Sequence, residues 1–216
     1  MTPGRLSSVN VGRPKQVSVR AGRPIMSSIG KEPVSGRVTV AGVNLDGDDQ
    51  ADRRVHGGPD KAVYAYAHED TLWWSARLAR PLPPGAFGEN LTTEGVDVTN
   101  AVIGEVWRVG TVELQVCQPR FPCFKLGLRF QDPGMVKAFG QAGRPGAYLR
   151  IVTEGELGAG DRVDITHRPS HGVTVELVSR AIMLDETVLA DAAKAPELPE
   201  SLSRWMLERA GQAPVR

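Results

Sequence analysis

Cysteine is nearly absent from this chain, and the scarcity excludes a good deal. Cys117 and Cys123 are the only two among 216 residues. Six positions apart, they fit neither a C-x-x-C redox pair nor a zinc framework, which would need further Cys or His at short spacing. A reducing compartment is the simpler reading, with any thiol chemistry resting on one residue. Long apolar runs are also missing, and a bilayer-spanning helix needs about 20 such residues. The start, MTPGRLSSVNVGRPK, lacks the apolar centre of a secretory leader. A cytoplasmic protein is therefore expected. Neither sign of charge dominates: 26 Lys+Arg face 25 Asp+Glu, for a net charge of +1. That balance gives no global drive toward nucleic acid or an anionic membrane.

What the chain does have is glycine and proline, 24 and 16 residues, and short bursts of alternating hydrophobicity. Such bursts predict strands with one buried and one wetter face. They occur at 36–41, 62–66, 105–109, 111–116, 147–152 and 161–165, with Gly110 turning an apparent hairpin and the turn-rich EGELGAG separating the last two. Helical spacing of Leu72, Trp73, Ala76 and Ala79 predicts a helix over 68–79, stopped by Pro81, Pro83 and Pro84, and 134–140 is a shorter candidate. GRP recurs at 12–14, 22–24 and 143–145, the first two resembling a repeated turn.

The pattern changes after HRPSHG (167–172), which reads as a linker. Beyond it, Asp185 can cap a helix burying Val188, Leu189, Ala192 and Ala193. Pro199 opens another that groups Leu202, Trp205 and Met206, ended by Gly211. Three short helices are expected within 173–216. That segment holds 5 Lys+Arg against 7 Asp+Glu, which argues against a helix-turn-helix reader of DNA.

Three islands carry reactive side chains among glycines and prolines. In DRRVHGGPDKAVYAY (52–66), Arg53, Arg54 and Lys61 surround His56, and Gly57 and Gly58 let backbone approach a ligand. Arginine grips phosphate oxygens in pairs and lysine adds a mobile charge, so this is an anion-binding loop, though without nucleotide P-loop spacing. Arg53 and Arg54 would face opposite ways on an extended chain, and Arg54 shares a face with His56. The bland alternative is a polar surface turn. FGENL (87–91) offers Glu89 and Asn90 behind a glycine, either as ligands or as a hydrogen-bonded turn. CQPRFPCFKL (117–126) presents Cys123 from a loop stiffened by Pro119 and Pro122 and flanked by Arg120 and Lys125. A thiolate held there could bind a soft metal or attack an electrophile. Cys117 continues a strand and reads as a core residue.

In this order, DRRVHGGPDKAVYAY, FGENL, IGEVWRVG, QPRFPCFKL, GRPGAYLRIV and GD before a final strand resemble the MOSC domain family, in its stand-alone bacterial, YiiM-like form. The resemblance covers roughly residues 5–168, and the trailing helices resemble the small C-terminal domain that accompanies that subfamily. It implies a mainly β, barrel-like fold over 1–168, followed by a three-helix domain over 173–216. It also implies a molybdenum–molybdopterin cofactor with a cysteine thiolate on the metal, a position that Cys123 occupies. Arg54, His56, Lys61, Glu89, Asn90, Arg120 and Lys125 fall in the motif segments around such a cofactor. The implied reaction is reduction of N-hydroxylated bases and related N–O compounds. Because no flavin or nicotinamide fingerprint is visible, electrons would come from a separate donor protein. Two alternatives stay open: a cofactor carrier or sulfur-handling module without turnover, and a metal-free thiol enzyme using Cys123 with His56 as base. Pyridoxal phosphate, sometimes associated with such domains, finds no lysine here whose surroundings single it out.

Overall fold

The computed structural model describes residues 4–51 and 57–212. In chain order the strands are β1 (Arg5–Val11), β2 (Lys15–Arg20), β3 (Arg23–Ser27), β4 (Glu32–Pro33), β5 (Arg37–Ala41), β6 (Asn44–Leu45) and β7 (Val63–Ala67). They continue with β8 (Leu91–Glu94), β9 (Val106–Val109), β10 (Val112–Pro119), β11 (Ala147–Thr153), β12 (Gly155–Gly158) and β13 (Val163–His167). The helices are α1 (His68–Arg77), α2 (Phe124–Phe130), α3 (Met135–Gln141), α4 (Val175–Met183), α5 (Leu189–Ala192) and α6 (Glu200–Gln212), with 3-10 turns at Pro59–Lys61 and Glu186–Val188. Among the described residues no helix is long and apolar enough to cross a membrane.

Eight strands form one sheet in the order β13-β9-β10-β11-β7-β8-β1-β4, and β12-β5-β6 form a second. Among the described residues the only parallel pair is β7 with β8, and α1 makes the crossover between them. Strand alternation is honoured on both faces of β7, but both faces are buried. Val63 and Ala65 enter the main core, while Tyr64 and Tyr66 enter an aromatic cluster with Trp74, Phe87, Phe130 and Phe139. The strand is thus a partition between two cores.

The barrel expectation is met only in part. The sheet curls, and its two ends approach where Leu6 N donates to Asp161 O (2.8 Å) and Val163 N to Gly4 O (2.8 Å). This contact is an isolated antiparallel bridge between Arg5 and Arg162 that does not extend into a ladder, and among the described residues no closed barrel is found. EGELGAG, expected to be turn alone, contains β12, which pairs with β5. Helix 68–79 exists, but with a different buried face: Thr71 and Trp74 point inward, whereas Leu72 and Trp73 are exposed. The C-terminal helices form within the expected span. Asp185 caps the turn at 186–188 rather than a longer helix, Met206 is buried, and Trp205 is exposed. Their apolar residues Val175, Val178, Ala181, Leu189, Ala192 and Met206 belong to the same contiguous core as the sheet. The expected linker is pinned as well: Arg168 Nε lies 2.8 Å from the fully buried Glu105 carboxylate, and His171 Nε2 lies 3.3 Å from Glu197.

Candidate functional site

Strand β10 runs buried through the main core and ends at Pro119, delivering the stiff turn Arg120–Pro122 to the sheet's rim. Cys123 follows as the residue that opens α2. Its backbone is extended (φ −126°, ψ 172°) and its side chain makes no capping hydrogen bond. The half-buried thiol is therefore not committed to holding the helix. It borders a cleft open to solvent whose wall also holds Lys31, Asp48, Lys61, Tyr64, Asn90, Arg120, Lys125 and Tyr148.

Arg120 is the most constrained cation of this wall. It is 6% exposed, and its guanidinium lies over the rings of Tyr64 (5.3 Å) and Phe139 (5.4 Å). Burial works against its charge, yet Tyr64, Tyr148 and Cys123 nearby outweigh burial and hold it protonated. Among the described residues its Nη1 has no hydrogen-bond partner. A buried, charged and unsatisfied donor in a cleft wall is costly unless something enters to accept from it. Lys61 sits at the end of the 3-10 turn after Gly58, and burial lowers its pKa against the opposing pull of Asp60.

The other wall is a buried ion pair that sequence reasoning missed. Lys31 Nζ donates to both carboxylate oxygens of Asp48, and the two side chains are 8% and 2% exposed. Asp48 also accepts from Gly12 N (2.7 Å) and Asn90 Nδ2 (2.9 Å). Asn90 Oδ1 in turn accepts from Tyr64 N (3.1 Å). Asn90 thus ties β7 and β8 to this wall. Two close approaches shape it: a Cβ on Gly85 (φ +78°) would meet Lys31 O at 2.7 Å, and one on Gly88 (φ +81°) would meet Ile29 Cγ1 at 2.9 Å. Both positions require glycine.

Residues 52–164 match the family model of the MOSC domain. The chain belongs to the MOSC domain family. It is 38% identical to YflK of Bacillus subtilis (strain 168) over 193 residues, 86% of this chain and 87% of that one. It is 34% identical over 203 residues to a protein named Reductase from Gibberella moniliformis (strain M3125 / FGSC 7600), covering 91% of this chain but 35% of that longer one. The crystal structure of YiiM from Geobacillus stearothermophilus superposes with a TM-score of 0.79 at 30% identity, covering 96% of this chain and all of that one.

Of the residues singled out from sequence, this MOSC chain brings Lys61, Asn90, Arg120, Cys123 and Lys125 together around one cleft. Arg54 and His56, with Arg53, lie outside the described residues. Glu89 is not in the cleft wall. Fully buried behind it, its carboxylate accepts from Gly85 N (2.6 Å), Phe87 N (3.0 Å) and Thr92 Oγ1 (3.1 Å), which closes the FGENL turn. Tyr64 and Tyr148 were missed as wall residues, because alternation alone assigns them to a core face. Lys31 and Asp48 were missed because neither stands in a recognisable motif. Among the described residues no three His, Cys, Asp or Glu side chains gather into a metal-holding cluster.

Cys117 lies in the core, its Sγ 2.9 Å from Asp60 O and 3.2 Å from Tyr148 O. Burial pushes its thiol from 9.0 up to about 12. The folded chain therefore keeps a proton that the unfolded chain loses, so this contribution is complete below about pH 9 and falls away from there to about pH 12. Urea melts should show wild type losing about 1 kcal/mol between pH 8 and pH 10 that Cys117→Ala does not lose. Parallel pH profiles for the two proteins would refute that reading.

Proposed function

We propose that this chain is a molybdenum-cofactor oxidoreductase that reduces N-hydroxylated bases or related N–O compounds with electrons from a separate donor protein. The observation that carries the reading is the cleft wall itself, which joins a thiol free of structural duties to a buried guanidinium with an unsatisfied N–H. A phosphate-bearing pterin offers acceptor oxygens for that N–H and for Lys61 and Lys125, and its metal is a soft acid suited to the Cys123 thiolate. The donor set therefore fits the group. When bound, the cofactor supplies a two-electron centre able to accept an oxygen atom.

The chain's own residues would do the rest. Arg120, Lys61 and Lys125 hold the anionic end of the cofactor, and Arg54 and His56 are carried from the sequence motif as further candidates. Cys123 Sγ fixes the metal, and Asn90, with the Lys31–Asp48 pair, sets the shape of the opposite wall. Tyr64 and Tyr148 back Arg120 and keep its guanidinium in place in this wall. The net change is R–NH–OH + 2 e⁻ + 2 H⁺ → R–NH₂ + H₂O: the N–O bond breaks and the oxygen leaves as water.

The relative named Reductase supports the redox reading. On this reading residues 1–168 hold the cofactor and 173–216 are a supporting appendage. Molybdenum and pterin analysis of protein from a molybdenum-replete host, paired with reduction of a hydroxylaminopurine by viologen, tests it. Stoichiometric metal with turnover is expected. Metal without turnover would mean a carrier, and turnover without metal a thiol enzyme.

A further inference from the structure

The β2–β3 hairpin is not explained by the fold or by the cleft. It is a two-stranded ribbon with, among the described residues, no third strand on either edge, and such ribbons are marginal alone. Nearly all its residues are exposed, including Val17, Val19 and Met26. Its charge is one-sided. Residues 12–27 contain Arg13, Lys15, Arg20 and Arg23 and no acid, whereas the remaining 22 basic residues of the chain face all 25 acidic ones. Two of the GRP triplets fall here.

The tip is unfavourable by itself. Ala21 (φ 49°) and Gly22 (φ 74°) make a two-residue turn with both residues left-handed. This sets Arg20 and Arg23 directly opposite each other. Like charges so placed repel. Among the described residues neither has an acidic partner, and only Lys15 has one, Glu32 at 3.7 Å.

The ribbon also adjoins the cleft. Ser27, at the end of β3, lines it together with Ser28 and Ile29. Helix α2, which Cys123 opens, packs against β2 and adds exposed Phe124, Leu128 and Arg129 to the same region.

We infer that this ribbon and the exposed side of α2 form the docking surface for an acidic electron-transfer protein. The inference rests on the redox reading above. The chain shows no flavin or nicotinamide fingerprint of its own, and a donor must come close to the cleft to deliver electrons. The arginines at the ribbon's tip steer an acidic partner to this side of the molecule, where the base of the ribbon meets the cleft. The apolar side chains between them supply what such an interface needs at its centre.

The test uses the full-length protein and a flavodoxin, an FMN protein with an acidic surround to its flavin. Calorimetry at low ionic strength is expected to show binding that weakens steeply with added salt. Arg20→Glu/Arg23→Glu should weaken it about ten-fold or more, and Arg20→Lys/Arg23→Lys should restore it. Both positions are exposed at a turn, so the fold should not suffer. Viologen-driven reduction of the N-hydroxylated substrate should be unchanged in the charge-reversed variant, while flavodoxin-driven reduction falls. No salt-sensitive binding by wild type, or equal binding by the charge-reversed variant, overturns the inference. So does evidence that the arginines serve another occupant, seen as self-association or as binding to anionic-lipid vesicles that the reversal abolishes. If flavodoxin binds and the reversal abolishes binding, yet viologen supports no turnover, the docking surface stands and the proposed reaction fails.

Discussion

Replacing Cys123 with alanine is expected to abolish reduction of N-hydroxylated substrates and to release the metal, with the melting curve almost unchanged. The two halves of this outcome have separate physical causes. Activity is lost because Cys123 is the only partly exposed thiol of the chain and borders the cleft. Stability is kept because the side chain opens α2 without a capping hydrogen bond, so alanine forfeits no helix-terminal bond. Cys117→Ala should behave in the opposite way. Its thiol is fully buried among backbone carbonyls, so the change should cost about 1 kcal/mol of stability and leave metal and turnover in place. Metal content, turnover and urea midpoints of the two variants are compared directly. A Cys123→Ala protein that keeps its metal, beside a Cys117→Ala protein that loses it, would reverse the assignment.

Much of this was legible because period-2 patterns survive burial on one face. β9, β10 and the Gly110 turn read correctly, since Val112, Leu114 and Val116 alternate with polar residues. β1 did not, because it is buried on both faces around Val9 and its buried residues mix Leu6 and Val9 with Ser8 and Asn10. These polar residues bond inward: Ser8 Oγ to Asn10 Oδ1 at 2.7 Å, and Asn10 Nδ2 to Thr92 Oγ1 at 3.0 Å. A buried polar network looks like a loop to a hydropathy reading. Helix α1 was found but rotated, because Leu72 and Trp73 look like core residues and Asp70 does not. In the fold Asp70 is buried against Arg144, and Arg144 stacks over Trp73 at 5.0 Å. In the cleft, the residues found from sequence came from segments dense in glycine and proline. Lys31 and Asp48 lie 17 positions apart in unremarkable sequence, and only the fold makes them neighbours.

That hidden pair carries the second large effect. Lys31→Met is expected to lower stability by about 3–5 kcal/mol, which in a chain of this size is a fall in melting temperature on the order of 10 °C. The reason is what remains behind. Among the described residues the Asp48 carboxylate would stay buried with Gly12 N and Asn90 Nδ2 as its donors and no ion-pair partner. Because these bonds tie the end of β1 and the start of β8 to the cleft wall, cofactor binding should weaken too. Asp48→Asn removes the other half and should differ in its pH dependence. Burial already lowers the pKa of Lys31, and Asp48 is the main influence opposing that shift. Without Asp48, the folded pKa falls further below the unfolded value of 10.5, so the unfolded chain holds the proton more tightly than the folded one. Stability of Asp48→Asn should therefore rise as the pH rises toward 10.5, relative to wild type, whereas Lys31→Met should gain nothing of the kind. Denaturant midpoints of the three proteins at pH 7 and pH 9.5 decide it. An Asp48→Asn variant whose deficit is the same at both values would show that Lys31 finds another counter-charge when Asp48 is gone.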